Sequence, residues 1–231
     1  MTDLNGLRAA NARRWANARL MRDFITVARR LIEPAAKIKY QAVAKRTGVP
    51  WFIIAVIHER EASQNWACSI AQGDRFDRVS VHVPAGRGPF PSWEEAAVDA
   101  LVNCEPKAAL NHDWSPGGAL TILERYNGLG YASKGVPSPY IWAGTDQYRS
   151  GKYVRDGVYD PNAVDSQLGC AGLLLTMSTM DLTVKFGDST AVQAPVGTPA
   201  KPLPPSITNP APGSLGAFIA SIFNAIFKRK T

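Results

Sequence analysis

Two carboxylates stand where an apolar stretch ends. Residues 51–57 (Trp-Phe-Ile-Ile-Ala-Val-Ile) are apolar at every position and run straight into His58-Glu59-Arg60-Glu61. A segment apolar on all sides is predicted as a helix buried all round. Glu59 and Glu61 lie two positions apart, about 200° around a helix, so both cannot point into one cleft. A carboxyl set against apolar walls such as Trp51, Ile57 or Trp66 loses solvation and keeps its proton near neutral pH. A protonated carboxyl can deliver that proton to a leaving oxygen, the general-acid step of glycosidases. Most carboxylates at helix ends are simply solvated, so the pattern needs support from its surroundings.

The surroundings are mostly helical by pattern. Residues 5–31 are predicted as one long helix, with Leu7, Ala10, Met21, Phe24, Ala28 and Leu31 near one face. Pro34 starts a second helix reaching Arg46, and Thr47-Gly48-Val49-Pro50 stops it and opens the next. After Gly73-Asp74 the alternation Val79-Ser80-Val81-His82-Val83 predicts a strand or small hairpin. Ser92-Trp93-Glu94-Glu95 has the form of a capping box and opens a helix to about Cys104. Ser115-Pro116 opens another that closes at Asn127-Gly128. Residues 151–159 are predicted as a turn region. Asp160-Pro161 then opens a helix running to about Leu182. The expected class is α+β, mostly α, with a small β-hairpin.

Several rare strings occur in order through residues 35–185. They are Ile57-His58-Glu59-Arg60-Glu61, Gly73-Asp74-Arg75-Phe76 and Val79-Ser80-Val81-His82-Val83-Pro84-Ala85-Gly86-Arg87. Tyr126-Asn127-Gly128-Leu129-Gly130-Tyr131, Ser138-Pro139-Tyr140-Ile141-Trp142 and Gly151-Lys152-Tyr153 follow. This set resembles phage endolysins and muramidases of the lysozyme superfamily, which also includes transglycosylase-related members. The resemblance implies a lysozyme-like domain that hydrolyses the β-1,4 bond between N-acetylmuramic acid and N-acetylglucosamine in peptidoglycan. It places the catalytic acid on Glu61, with Ala62 standing where the family has serine. It suggests Asp74 and Ser80 as the aspartate and hydroxyl that hold a water opposite the acid, as an inverting hydrolase requires. Twelve residues separate Glu61 from Asp74, a longer gap than in phage lysozymes. Tyr126 and Asn127 resemble an element that lies along the sugar groove in transglycosylase-like folds, and Gln72, Tyr140 and Gln167 are further substrate-binding candidates. Trp142 is expected in the core. His58, one turn before Glu61, is a candidate to tune it. The rival on the same fold is a lytic transglycosylase giving 1,6-anhydro products. A rival from another class is a protein that permeabilises membranes mainly through its tail.

The chain has 231 residues, 45% hydrophobic and 19% charged, which excludes wholesale disorder. Three cysteines, Cys68, Cys104 and Cys170, have no paired spacing, so a disulfide framework is not expected. Three histidines without a CxxC or HExxH pattern point to no metal site, and no cofactor is expected. Residues 1–50 hold 11 Lys and Arg against 3 Asp and Glu, a balance of +8; the remainder holds 15 against 16, a balance of −1. Such a pole suits a polyanionic partner, here the bacterial wall or an anionic membrane face. No nucleic-acid motif is present, and a monomer is expected.

Residues 194–212 contain seven prolines and predict an extended linker. Beyond it, Leu215, Phe218, Ile219, Ile222, Phe223, Ile226 and Phe227 form a helical apolar stripe before Lys228-Arg229-Lys230. Fifteen residues at about 1.5 Å each fall short of a ~30 Å bilayer core, so an interfacial amphipathic helix is expected. The expected organisation is a basic N-terminal helix (1–33), a lysozyme-like domain (34–190), a Pro-rich linker (191–213) and a membrane-interacting helix (214–231, contacting anionic lipid through 214–230). The N-terminus lacks a charged-then-apolar signal pattern. The expected route is synthesis in a host cytoplasm and action at the periplasmic wall, with membrane association through the tail.

Overall fold

The computed structural model describes residues 2–187. The Pro-rich linker and the apolar stripe of 214–231 lie outside the described residues. Within them the fold is mostly helical, with one two-stranded antiparallel sheet. The helices are α1 (Leu4–Asn17), α2 (Ile25–Leu31), α3 (Pro34–Thr47), α4 (Trp51–Ala62), α5 (Trp93–Val102), α6 (Pro116–Asn127), α7 (Gly130–Ser133), α8 (Pro139–Trp142) and α9 (Cys170–Met180). The strands are β1 (Lys152–Arg155) and β2 (Val158–Asp160).

Helix α4 is the axis of the core. Its residues 51–58 are all buried, and α2, α3, α6 and α9 pack around it. The apolar run therefore does what its composition dictates: no face of it is left for water. Pro50 precedes its first turn, and Ser63 ends it in a left-handed conformation (φ 51°), with its amide bonded back to the Glu59 carbonyl. Helix α3 begins at Pro34 with the Glu33 carboxylate accepting from the Ala36 amide, and Gly48 (φ 74°) ends it. Helix α5 opens on Ser92, whose hydroxyl accepts from the Glu95 amide, and α6 opens on Ser115 in the same way at Gly118. These starts and stops match their sequence signals.

Three expectations are corrected. The helix expected over residues 5–31 is two helices. Between them the chain runs extended beside residues 144–146, where Leu20 bridges Thr145 and the Met21 amide donates to the Gly144 carbonyl (2.8 Å). Pairing with a distant segment has overridden local helix propensity. Phe24, at the end of this break, is 1% exposed and lies against α9 so closely that a Cβ on Gly172 would stand 2.2 Å from its ring. The N-terminal segment thus shares the core of the domain that follows it.

The strand expected at 79–83 does not form. Its amides go to the Asp74 carboxylate and to local turns, and Val79, Val81 and Val83 are exposed. An alternating pattern becomes a strand only where a second strand offers a ladder. The hairpin forms instead at 152–160, within the expected turn region, around Asp156-Gly157 with Gly157 at φ 68°. Asp-Gly between β-prone residues is the chemistry of a two-residue hairpin turn.

Finally, the helix expected from Asp160 begins only at Cys170. Residues 161–169 are irregular, and their polar groups are used elsewhere: the Asp165 carboxylate and Leu168 carbonyl by Arg60, and the Ala163 carbonyl by the Gly151 amide.

Candidate active site

Glu61 occupies the last turn of α4 and is 5% exposed. Its Oε1 accepts a hydrogen bond from the Tyr140 hydroxyl (2.8 Å) at the first residues of α8. Burial pushes the carboxyl up to about 7, against the opposing pull of the Tyr140 bond and the Arg60 charge. The negative end of the α4 dipole works in the same direction as burial. Glu61 is therefore a carboxyl that still carries its proton near neutral pH, the state a general acid needs.

Glu59 faces the other way, as the two-residue offset requires. Its carboxylate pairs with the Arg30 guanidinium (2.8 Å). Burial raises it too, with Arg30 pulling it back. One oxygen of Glu59 is thus committed to an ion pair, and Glu61 is bonded to a neutral phenol.

Arg60, between them, is buried and points into the 161–169 loop. Its Nη2 donates to Asp165 Oδ2 (3.1 Å) and its Nη1 to the Leu168 carbonyl (3.2 Å). Its guanidinium carbon lies 4.7 Å from the centre of the Tyr140 ring. Asp165 also accepts from Lys152 Nζ (3.3 Å) and the Gln167 amide. Burial works against ionised Asp165, but Arg60 and Lys152 outweigh it and hold it below the usual carboxylate range. Sequence reasoning did not single out Arg60 or Asp165. The signal was available: an arginine inside an apolar helix requires an acid partner.

The other candidate residues divide into three groups. Tyr140 and Tyr126 belong to the Glu61 neighbourhood. Tyr126 is 8% exposed and its hydroxyl donates to the Ile70 carbonyl (2.9 Å), tying α6 to the chain after α4. Burial raises its phenol well above the ordinary value, and the Glu61 charge adds to that. Asp74, Ser80 and Gln72 belong to the 65–92 segment, and their side-chain bonds stay within it. Asp74 accepts from the Val81 and His82 amides (both 2.9 Å) and from His82 Nδ1 (2.6 Å). Burial opposes its charge, but the His82 and Val81 bonds prevail and keep it ionised. Ser80 donates to the Pro84 carbonyl and accepts from the Arg87 amide (both 2.9 Å), while Arg87 itself pairs with Asp99 on α5. Gln72 donates to the same Pro84 carbonyl (3.4 Å), and its buried Oε1 has no protein partner. Asn127, at the end of α6, and Gln167, in the 161–169 loop, are half-buried.

His58 does not tune Glu61. Its Nδ1 meets the Tyr40 hydroxyl (3.0 Å) and its Nε2 the Asn65 carbonyl (3.1 Å). A carbonyl can only accept, so Nε2 carries the hydrogen and Nδ1 accepts from Tyr40. Burial among Tyr40, Trp66 and Trp93 lowers the imidazole to about 4. Trp142 is fully buried in the core, as expected. Among the described residues, no group of three or more His, Cys, Asp or Glu side chains is placed to hold a metal ion.

Comparison with models of known protein families, with curated proteins and with solved structures finds no match for this chain.

Proposed function

We propose that this chain is a peptidoglycan-cleaving glycosidase of the muramidase type, with Glu61 as its proton donor. One observation carries the proposal: a buried carboxyl at the end of the central helix, bonded to Tyr140 and pushed by burial up to about 7. The resemblance of the ordered strings to those of endolysins supports the substrate class. In the hydrolytic step Glu61 gives its proton to the glycosidic oxygen as the C1–O bond breaks. Water then adds its hydroxyl to C1 of the muramic acid and gives its proton to a second carboxylate acting as general base. Anionic, hydrogen-bonded Asp74 stands as the second carboxylate of this scheme. The role of a phage endolysin, with the tail of 214–231 seeking anionic lipid, is proposed on the sequence features given above.

A second reading is favoured by the bonding of Ser80 and Asp74. The Ser80 hydroxyl already has one donor bond and one acceptor bond, both within its own segment, and Asp74 accepts three. A single acid suffices if no water needs to be held. Glu61 would then protonate the leaving oxygen, and as carboxylate take the proton from the muramyl 6-hydroxyl as it closes on C1. That is the lytic transglycosylase reaction.

Both readings are tested by digesting purified murein and reading the products by mass spectrometry. Reducing muramic acid ends mark hydrolysis, and 1,6-anhydro ends mark transglycosylation. Glu61→Gln is expected to lower product release by about 10²- to 10⁴-fold, the usual contribution of a general acid. Undiminished digestion by Glu61→Gln would rule out both.

A further inference from the structure

Arg60 is chemically unusual in its place. It lies in the last turn of the helix that forms the core, 8% exposed, and its Nε has no hydrogen-bond partner in the protein. A buried guanidinium is costly unless its geometry is put to use. Two features use it. The Asp165 carboxylate and Leu168 carbonyl hold its two terminal nitrogens, and its guanidinium carbon lies over the Tyr140 ring, 4.7 Å from the ring centre. Tyr140 in turn donates to Glu61. Arg60, Tyr140 and Glu61 thus form a chain of contacts in which the adjacent residue on α4 reaches the acid by way of another element, α8.

We propose that Arg60 is a positioning residue: tethered by Asp165, it orients the Tyr140 ring so that the phenol donates to Glu61. This rests on Glu61 being the proton donor. A phenol that donates to a carboxyl favours its ionised form, so Tyr140 lowers the Glu61 midpoint below where burial alone would put it, and Arg60 sets how well that bond is made. The charged or titratable groups near Glu61 are Arg60 on its own helix, Tyr140 on α8, Tyr126 on α6 and Cys170 on α9. Tyr126 and Cys170 are neutral near pH 7, both being raised chiefly by burial. Lysine keeps the charge of arginine but offers no planar face and no fork. Arg60→Lys therefore separates the geometry of the guanidinium from its charge.

The test follows the Glu61 carboxyl directly, by NMR titration of the full chain labelled with carbon-13 at glutamate side chains, with Glu61→Gln assigning the signal. Tyr140→Phe is expected to raise the Glu61 midpoint by about one pH unit, the scale of one hydrogen bond to a charged group. Arg60→Lys is expected to raise it in the native background and to leave it unmoved when Tyr140→Phe is already present. Equal effects of Arg60→Lys in the two backgrounds would overturn the proposal, because Arg60 would then act by charge or general packing. Asp165→Asn provides a second cycle that does not depend on Arg60→Lys folding: its effect on the midpoint is expected to differ between the two backgrounds, and additivity overturns the proposal. The titration needs no substrate. Coupling without murein digestion would leave the positioning role standing and remove the glycosidase assignment. Digestion without coupling would do the reverse.

Discussion

Glu61 and Glu59 show how two like residues, two positions apart, become different reagents. The helix turns about 200° between them, so one meets a guanidinium and the other a phenol. The consequence for activity is directional. A general acid works only while protonated, so murein digestion is expected to fall as pH rises through about 7, where Glu61 ionises. Rates of product release between pH 5 and pH 9 check this. The consequence for stability has the same sign. The Glu61 carboxyl has a folded-state value of about 7, above its ordinary 4.5. Between those values the folded chain binds more protons than the unfolded one, so this group's contribution is fully present below about 4.5 and is lost as pH rises through about 7. Glu124 acts alike: burial raises it to about 7, with Asn11 and Arg14 pulling the other way. Glu61→Gln mimics the protonated form. Its Tm advantage over the native chain is expected to be larger at pH 8 than at pH 5, measured by thermal unfolding.

At the scale of elements, the segment between α4 and α5 carries candidate residues on a scaffold of side-chain bonds. Asp74 gathers the amides of Val81 and His82, Ser80 closes the turn to Arg87, and Arg87 anchors to Asp99 on α5. Removing the Ser80 hydroxyl leaves the Arg87 amide and one bond of the Pro84 carbonyl unmade. Ser80→Ala is expected to cost about 1–3 kcal/mol of stability, the penalty of buried polar groups losing partners. Denaturant unfolding reads that loss. If Ser80 serves the turn, murein digestion well below the unfolding transition stays within a few-fold of native; if it holds the attacking water, digestion falls far more than stability. The valines of the same segment were legible as alternation, but alternation does not supply a partner strand. The 152–160 hairpin had its Asp-Gly turn in plain sight, yet its tyrosines and valines are too few to announce strands without the pairing itself.

For the whole molecule, charge is the feature most open to test. Arg8, Arg13, Arg19, Arg22, Arg29 and Arg30 all lie exposed in the first thirty residues, with Arg8 paired to Asp113 and Arg30 to Glu59, so most of the basic charge of this segment stays at the surface of the folded chain. Binding of the intact chain to purified anionic wall material is expected to weaken steeply between low salt and 1 M NaCl, where the Debye length falls to about 3 Å. Co-sedimentation across a salt series measures it. Binding that does not respond to salt would assign the attachment to other contacts.

The buried run of 51–57, the caps at Pro34, Ser92 and Ser115, and the opposed directions of Glu59 and Glu61 followed from sequence because each depends on residues within one turn of one another. The break in the N-terminal helix, the placement of the sheet, and the late start of α9 did not, because each is decided by partners more than 100 residues away or by a competing use of the same amides. The helix pattern narrowed the candidate acid to Glu59 or Glu61, and only the resemblance to endolysins pointed to Glu61. That Tyr140 touches it, and that Arg60 and Asp165 stand behind Tyr140, came only from tertiary packing, since no local rule brings positions 60, 61, 140 and 165 together.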